Sequence, residues 1–519
     1  MKLLLNNSSF KSGLLITTII LCCIPLFAKL GVAPIYMWDE ATYANNALDM
    51  YQSNDLIVVR MEGQPDLYNT KPPFVLWMQT ISLHTFGLNE FAIRFPSALF
   101  ALLTILVLLW FSLAVFDSVI IAIVSMLTLV SANGYVAIHV TRSGDLDATL
   151  VFWITLYVFI FLKYILKPSR PGLHFFLMAV GITGAFLTKG IAGWLPLPLL
   201  LIVAIADGSF LKLLRQKAVY MAAAIVFLLS GSYYLLREIM SPGYWTVVYA
   251  SELMRFNNTV MSWHVQPFAF YFLNMLHGSF IPFLYLLPFS WLIFLFEKEK
   301  IMRRCVLYLW ILSLGYFLLI SYPADKLEWY DAPLYPLMSL IIALFIYSVI
   351  KKIGEHPYFQ SRLSFKNSIT VLILFAVLGV PYWLMVKKVL ATDDITYSWD
   401  RNQSDEFRIT GAFMKFLKEK HPEIRSYTIL KSPPKDPEHY DQLKFYQRTY
   451  QLLDHFSIII KNNPKELEPG EIVMTCEPNL QEALHAIWTG RVIQSWKGCD
   501  LFQVLEPNKT GLISSPVIQ

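Results

Sequence analysis

Charge is scarce in this sequence. Lys, Arg, Asp and Glu make up only 15% of its 519 residues, where a soluble domain carries about 25%. Cysteine is scarcer still, and none of the five has the spacing of a metal-ligand motif, which argues against a zinc module. Low-complexity tracts and internal repeats are lacking, so nothing points to a solenoid or a propeller. The net charge of +5 is small and its cations are spread over many loops, which leaves no footprint for nucleic acid. Apolar residues, by contrast, reach 56%, above the roughly 45–50% of soluble chains. The surplus must face lipid. The chain reads as an α-helical multi-pass membrane protein.

The first apolar run, Leu14–Val32, follows Lys2 and Lys11 and is long enough to span; with no small-residue cleavage site before Pro34, it reads as an uncleaved helix. Runs follow at Pro96–Phe116, Val119–Val140, Ala148–Leu166, Leu173–Leu187, Ile191–Ile205, Ala218–Leu236, Phe280–Phe296, Val306–Ile320, Ala332–Ile350 and Ile369–Val386. Since a span needs roughly 20 apolar residues, this predicts about 11–13 membrane helices. With the N-terminus inside, the inner loops hold Lys167, Arg170, Lys212, Arg215, Lys217, Lys298, Lys300, Arg303, Arg304, Lys351, Lys352, Arg362 and Lys366. That excess is expected of short cytoplasmic loops. The C-terminal region then lies outside.

The outer loops should be poor in cations, yet they hold Lys71, Arg94, Arg142, Lys189, Arg237, Arg255 and Lys326, most within a few residues of a helix end. Each alone admits a plainer reading, a stem snorkelling to lipid headgroups. Together with Asp39, Glu40, Asp145 and Asp147 they describe a site for an anion at membrane-surface depth. The first outer segment, residues 33–95, carries the acid pair in "MWDEATYANNALDMY" on a stretch with the spacing of an interfacial helix, Tyr43, Ala47 and Met50 on one face. In "YNTKPPFVLWMQTI", two prolines open a helix directly after Lys71, setting its ammonium near that helix's positive end. Asp147 begins a helix and could simply cap it. Later loops add Lys189 in "FLTKGIAGW", Glu252, Arg255 and His264 in "ELMRFNNTVMSWHVQ", and Lys326, Tyr330 and Tyr335 in "DKLEWYDAPLYP".

These stretches, with "TRSGDLDATL", resemble the bacterial ArnT-like glycosyltransferases, a group that includes the lipid A aminoarabinose transferase and is related to the protein O-mannosyltransferases. The similarity runs from about Asp39 to Pro336. It implies a GT-C fold with a membrane domain at 1–390 and a periplasmic α/β domain at 391–519. It also implies an inverting glycosyltransferase that moves a sugar from a polyprenyl-phosphate donor at the periplasmic face of the inner membrane, the acceptor being lipid A, another glycolipid or a protein. By the same resemblance Asp39 is the catalytic carboxylate, with Glu40 orienting it or raising its pKa, and Asp147 is a second acid. Lys71, Arg255, Lys189 and Lys326 would offset the phosphate's charge, and Tyr330 and Tyr335 would donate hydroxyls. Arg94, Asp145 and His264 complete the candidate contacts to the lipid phosphate or sugar. Where the family often has Glu before the loop lysine, in its aminoarabinose branch part of a metal site, this chain has Thr70. That puts a divalent metal in doubt.

From Ala391 the composition turns soluble. "DEFRITGAFMKFLKEKHPEI" and "LQEALHAIW" read as helices, "RSYTIL", "FSIII" and "EIVMTC" as strands, and "RVIQSWKGCDLFQVLE" as a closing strand pair. Cys476 and Cys499 share this oxidising side, where a disulfide is allowed. Two rival functions stand beside the transferase to envelope lipids. One is the same chemistry on a protein acceptor. The other is a transporter or flippase, which would place polar groups near the midplane and show repeated halves.

Overall fold

The computed structural model describes residues 8–67, 69–253, 264–356, 363–392, 405–433 and 441–508. They form two compact units. The first comprises Met1–Leu30, Ser53–Gln79 and Arg94–Ala391, the second Gly31–Gln52, Thr80–Ile93 and Thr392–Gln519. The change of composition at Ala391 is therefore one boundary, and two stretches of the first outer segment pack with the C-terminal residues.

In the first unit, eight helices among the described residues are long and apolar enough to cross a membrane, and a bent pair raises this to nine. Burial separates them into two kinds. The most apolar windows of Asp147–Leu166 and Leu334–Glu355 are 78% buried in protein, against 22% for Lys217–Met240, which turns Phe227, Leu228 and Ile239 outward. Lipid is as apolar as leucine, so close packing rather than water exclusion holds such helices together. Gly184 shows how. A Cβ there would lie 2.4 Å from the Trp153 ring, so only glycine lets the helix Pro171–Lys189 come this near the helix Asp147–Leu166.

Three apolar runs depart from the single spans expected. Val119–Val140 is helical only to Val130. Beyond it the Gly134 N–H donates to the Ser279 carbonyl at 2.8 Å and the Asn133 amide to the Gly278 carbonyl at 3.0 Å. The run Ile191–Ile205 splits into a 3-10 turn, Gly190–Trp194, and the helix Leu197–Asp207, because Pro196 and Pro198 lack the N–H that a continuing helix needs. The run at Phe280–Phe296 belongs to a pair, Phe270–Ser279 and Phe283–Phe296, bent by 113°.

The second unit holds a five-stranded sheet in the order Ser457–Lys461, Ser426–Leu430, Ile472–Thr475, Cys499–Pro507, Trp488–Trp496. The first three strands run parallel and the last two pair antiparallel. Leu430, Val473, Phe502 and Val504 are buried together with Leu484 of the helix Pro478–Ile487. Cys476 and Cys499 form a disulfide. The helix Asp405–Lys420 lies where expected, whereas the helix Asp441–Asp454 does not stand out in the sequence.

That last helix explains the acid-pair stretch. Asp39–Ser53 is a helix, and it buries polar residues as well as apolar ones. The Thr42 hydroxyl donates to Asp441 at 3.1 Å and the Asn45 amide to the Asp441 carbonyl at 2.8 Å. Arg448 reaches both oxygens of Asp49 at 3.0 and 3.1 Å. Glu90 accepts from the Tyr446 hydroxyl at 2.8 Å and pairs with Lys415 at 3.0 Å. The polar face thus meets protein, with its hydrogen bonds satisfied.

Candidate active site

The helices Asp147–Leu166 and Pro171–Lys189 are joined by four residues and pack as an antiparallel hairpin. The first residue of one and the last of the other therefore meet at the same end. The Lys189 ammonium lies 2.7 Å from each carboxylate oxygen of Asp147. Both side chains are largely buried, 13% and 5% exposed. An acid at a helix N-terminus and a cation at a C-terminus also suit the two helix dipoles.

A second pair comes from distant sequence. Asn69 accepts the Lys71 backbone N–H at 3.1 Å, just before the prolines that precede the helix Phe74–Phe86. The Lys71 ammonium lies 3.0 Å from Oε1 of Glu252, which sits in the π-helical turn Tyr249–Leu253. The other carboxylate oxygen accepts from the Ile191 N–H at 3.4 Å. Gly190 makes room for it: its φ is +57°, and a Cβ would come within 2.4 Å of Glu252. Both ion pairs line one cavity of about 160 Å³, walled also by Ser251, Tyr316, Asp325 and Tyr330. The Tyr330 ring centroid is 5.0 Å from the Lys189 ammonium. The arrangement presents two partly buried ammonium groups to one volume, each held by a carboxylate.

Asp145, Arg94, Lys326, His264 and Tyr335 are not among the residues that line this cavity. Asp145 is buried, accepts from the Ser143 hydroxyl and lies 3.4 Å from His139. Burial pushes its carboxyl up, but His139, Ser143 and Lys189 outweigh burial and hold it below the usual range. Arg94 and Arg142 are also buried: Arg94 donates to the Leu30 carbonyl at 3.0 Å, and Arg142 to those of Pro25, Leu26 and Ala28 at 2.9–3.2 Å. Lys326 donates to the carbonyls of Gln266 and Pro323, and its backbone N–H to that of His264 at 2.9 Å. Burial lowers the Lys326 pKa. Arg255 lies outside the described residues. Asp39 and Glu40 open the helix Asp39–Ser53 in the second unit; Glu40 is fully buried and accepts the Tyr36 N–H at 2.7 Å, while Asp39 is partly exposed.

Tyr335 donates to Asp331 at 3.0 Å. Asp331 is buried, and burial pushes its carboxyl up to about 8. A carboxyl raised above its ordinary 3.8 stabilises the fold fully below that value, and the contribution is lost as pH rises toward 8. Wild-type thermal stability should therefore fall between about pH 4 and 8, and Asp331→Asn should flatten that stretch. Parallel pH profiles for the two proteins would contradict this assignment.

Comparison with known proteins places the chain among lipid-phosphate-sugar transferases by likeness. The sequence profile of the family "Dolichyl-phosphate-mannose-protein mannosyltransferase" matches residues 70–234, which include Lys71, Asp147 and Lys189. The undecaprenyl phosphate-alpha-4-amino-4-deoxy-L-arabinose arabinosyl transferase of Aeromonas salmonicida (strain A449) is 28% identical over 359 residues, 67% of this chain and 62% of that protein. ArnT from Cupriavidus metallidurans, crystallised with undecaprenyl phosphate, superposes with a TM-score of 0.62 over 95% of this chain and 98% of its own, at 16% identity. The chain is similar to the ArnT-like, protein-mannosyltransferase-related glycosyltransferases and shares the fold of ArnT. An uncharacterized protein of Aquifex aeolicus (strain VF5) is 26% identical over 377 residues, 70% of this chain and 72% of that one. The alignment with the Aeromonas transferase covers less than two thirds of that protein's length.

The chain departs from the pattern of the family it resembles at Thr70. The Thr70 hydroxyl accepts from Ser251 at 3.1 Å and its carbonyl from Tyr244 at 2.7 Å. It supplies no carboxylate, and Glu252 beside it is engaged by Lys71. Thr70 and the lysine-bound Glu252 therefore make no site for a divalent ion between them. Sequence reasoning also left Glu252 without a partner and did not single out Ser251, Tyr316 or Asp325. Glu252 lies 181 residues from Lys71, and Tyr316 lies inside the apolar helix Lys300–Ser321; neither offers a local signal. Asp325, next to Lys326 in a short acid- and tyrosine-rich loop, could have been found.

Proposed function

We propose that this protein transfers a sugar from a polyprenyl-phosphate carrier to an acceptor at the periplasmic face of a bacterial inner membrane. The observation that carries the reading is the pair of lysines, Lys71 and Lys189, facing one cavity at a helix-terminal level of a helical bundle. In the transfer, the acceptor oxygen bonds to the anomeric carbon, and the carbon–oxygen bond to phosphate breaks with its electrons passing to the phosphate. Negative charge therefore grows on the leaving group, where preorganised cations lower the barrier most. Lys71 and Lys189 are the groups assigned to that charge, with Tyr330 beside Lys189. The acceptor's proton passes to Asp39, the family's carboxylate position, when the acceptor is a hydroxyl. A phosphate acceptor is already deprotonated, and Asp39 then orients it.

An envelope glycolipid such as lipid A is the acceptor favoured by likeness to the arabinosyl transferases. A protein acceptor is the second reading, favoured by the match to the mannosyltransferase profile over residues 70–234. Transport is disfavoured, because Asp147 and Lys189 occupy helix ends rather than mid-span positions.

The test is release of polyprenyl phosphate from pooled polyprenyl-linked sugars, by purified protein supplied with extracted envelope lipids. Lys71→Ala should cut release by about a hundredfold or more, the size seen when one charge-stabilising donor is removed. Mass spectrometry of the labelled product would name sugar and acceptor together. No release by wild type with either lipid or protein acceptors would overturn the reading.

A further inference from the structure

Glu252 has no part in the transfer step, yet its carboxylate occupies an anion site. The Lys71 ammonium lies 3.0 Å from one of its oxygens, the Ile191 N–H donates to the other at 3.4 Å, and Gly190 leaves the space they fill. A phosphoryl oxygen seeks the same donors: an ammonium, a backbone N–H and a surface without a side chain. The cavity is, moreover, acid-rich. Among the described residues, the carboxylates of Asp147, Glu252 and Asp325 line it beside the ammonium groups of Lys71 and Lys189, so an entering phosphate meets carboxylates that already hold both lysines.

We infer that Glu252 is a resident counter-anion that a polyprenyl phosphate must displace from Lys71. This rests on the reading of the cavity as the phosphate site. Of the two acids paired with these lysines, Asp147 is the more firmly held, being the first residue of a buried helix and bonded through both oxygens. Glu252 rides on a five-residue π-helical turn, a helix form with poorer bonding that often marks functional sites. While Glu252 holds Lys71 the cavity is closed to phosphate; when it swings away, Lys71 and the Ile191 N–H take the phosphate oxygens. Its return helps expel the polyprenyl phosphate left after transfer. The pair therefore trades donor affinity for product release. If the pair is closed about nine-tenths of the time, apparent affinity is reduced about tenfold.

The experiment measures undecaprenyl phosphate binding and steady-state transfer by the full-length protein in detergent. Glu252→Gln should bind the lipid about tenfold tighter, with a lower KM for donor and a lower kcat, while Glu252→Asp stays near wild type. Glu252→Ala, which removes the carboxylate altogether, should shift binding in the same direction and serves as the second test should the Gln variant fail to fold. Weaker or unchanged binding in both, with Lys71→Ala still losing the lipid, would overturn the inference and leave Glu252 as a brace for Lys71. Wild-type protein that binds no lipid, or Lys71→Ala that binds as wild type does, would instead overturn the cavity reading itself.

Discussion

Asp39→Asn is expected to slow transfer to a hydroxyl acceptor by about a hundredfold to ten-thousandfold, the contribution of a positioned acid or base. The protein should remain folded. Asn is nearly isosteric, and the neighbouring anchor is untouched: Glu40 accepts the Tyr36 N–H at 2.7 Å. Of the adjacent acids, Glu40 is thus committed to the backbone while Asp39 is partly exposed at the first position of its helix. Thermal unfolding beside an assay of polyprenyl phosphate release checks both parts. Retained turnover within about threefold of wild type would remove Asp39 from proton transfer. Loss of the fold together with activity would give it a structural role.

Asp147→Asn should act mainly on stability. The substitution leaves the Lys189 ammonium, only 13% exposed, without the carboxylate that meets it at 2.7 Å through both oxygens. Breaking a buried pair from one side costs about 3–5 kcal/mol, enough to lower the unfolding midpoint by several degrees. Removing both charges, as Asp147→Asn with Lys189→Met, should recover much of that loss, because no uncompensated charge then remains. Recovery of stability without recovery of transfer would separate the two functions of the pair. An Asp147→Asn protein as stable as wild type would mean the ammonium finds another partner, such as the Tyr330 ring 5.0 Å away or the carboxylate of Asp145, which Lys189 already helps to keep charged.

Much of this organisation was legible in the sequence because its signals are local. Long apolar runs, "TKPP" before a helix, Asp147 at a helix start and Lys189 at a helix end each need only a few neighbours to be read. What escaped depends on contacts between distant residues. Val119–Val140 looks like one span, yet its second half is turned out of helix by bonds to Gly278 and Ser279. Glu252 has no pattern that announces Lys71 as its partner. The helix Asp39–Ser53 has the look of an interfacial helix, but Asn45 and Asp49 point into bonds with a helix that begins at Asp441. Amphipathic spacing says that a face is covered and is silent about what covers it.

The interleaved make-up of the second unit also imposes a timetable. Gly31–Gln52 and Thr80–Ile93 are synthesised long before Thr392. At roughly 5–20 residues per second, the intervening stretch of about 300 residues takes on the order of 15–60 s to emerge. Throughout that interval Asn45, Asp49 and Glu90 wait for Asp441, Arg448 and Tyr446. A chain whose translation stops before Asp441 can insert its apolar helices and still never bury this early segment. Premature termination late in the message therefore damages a region encoded near its start.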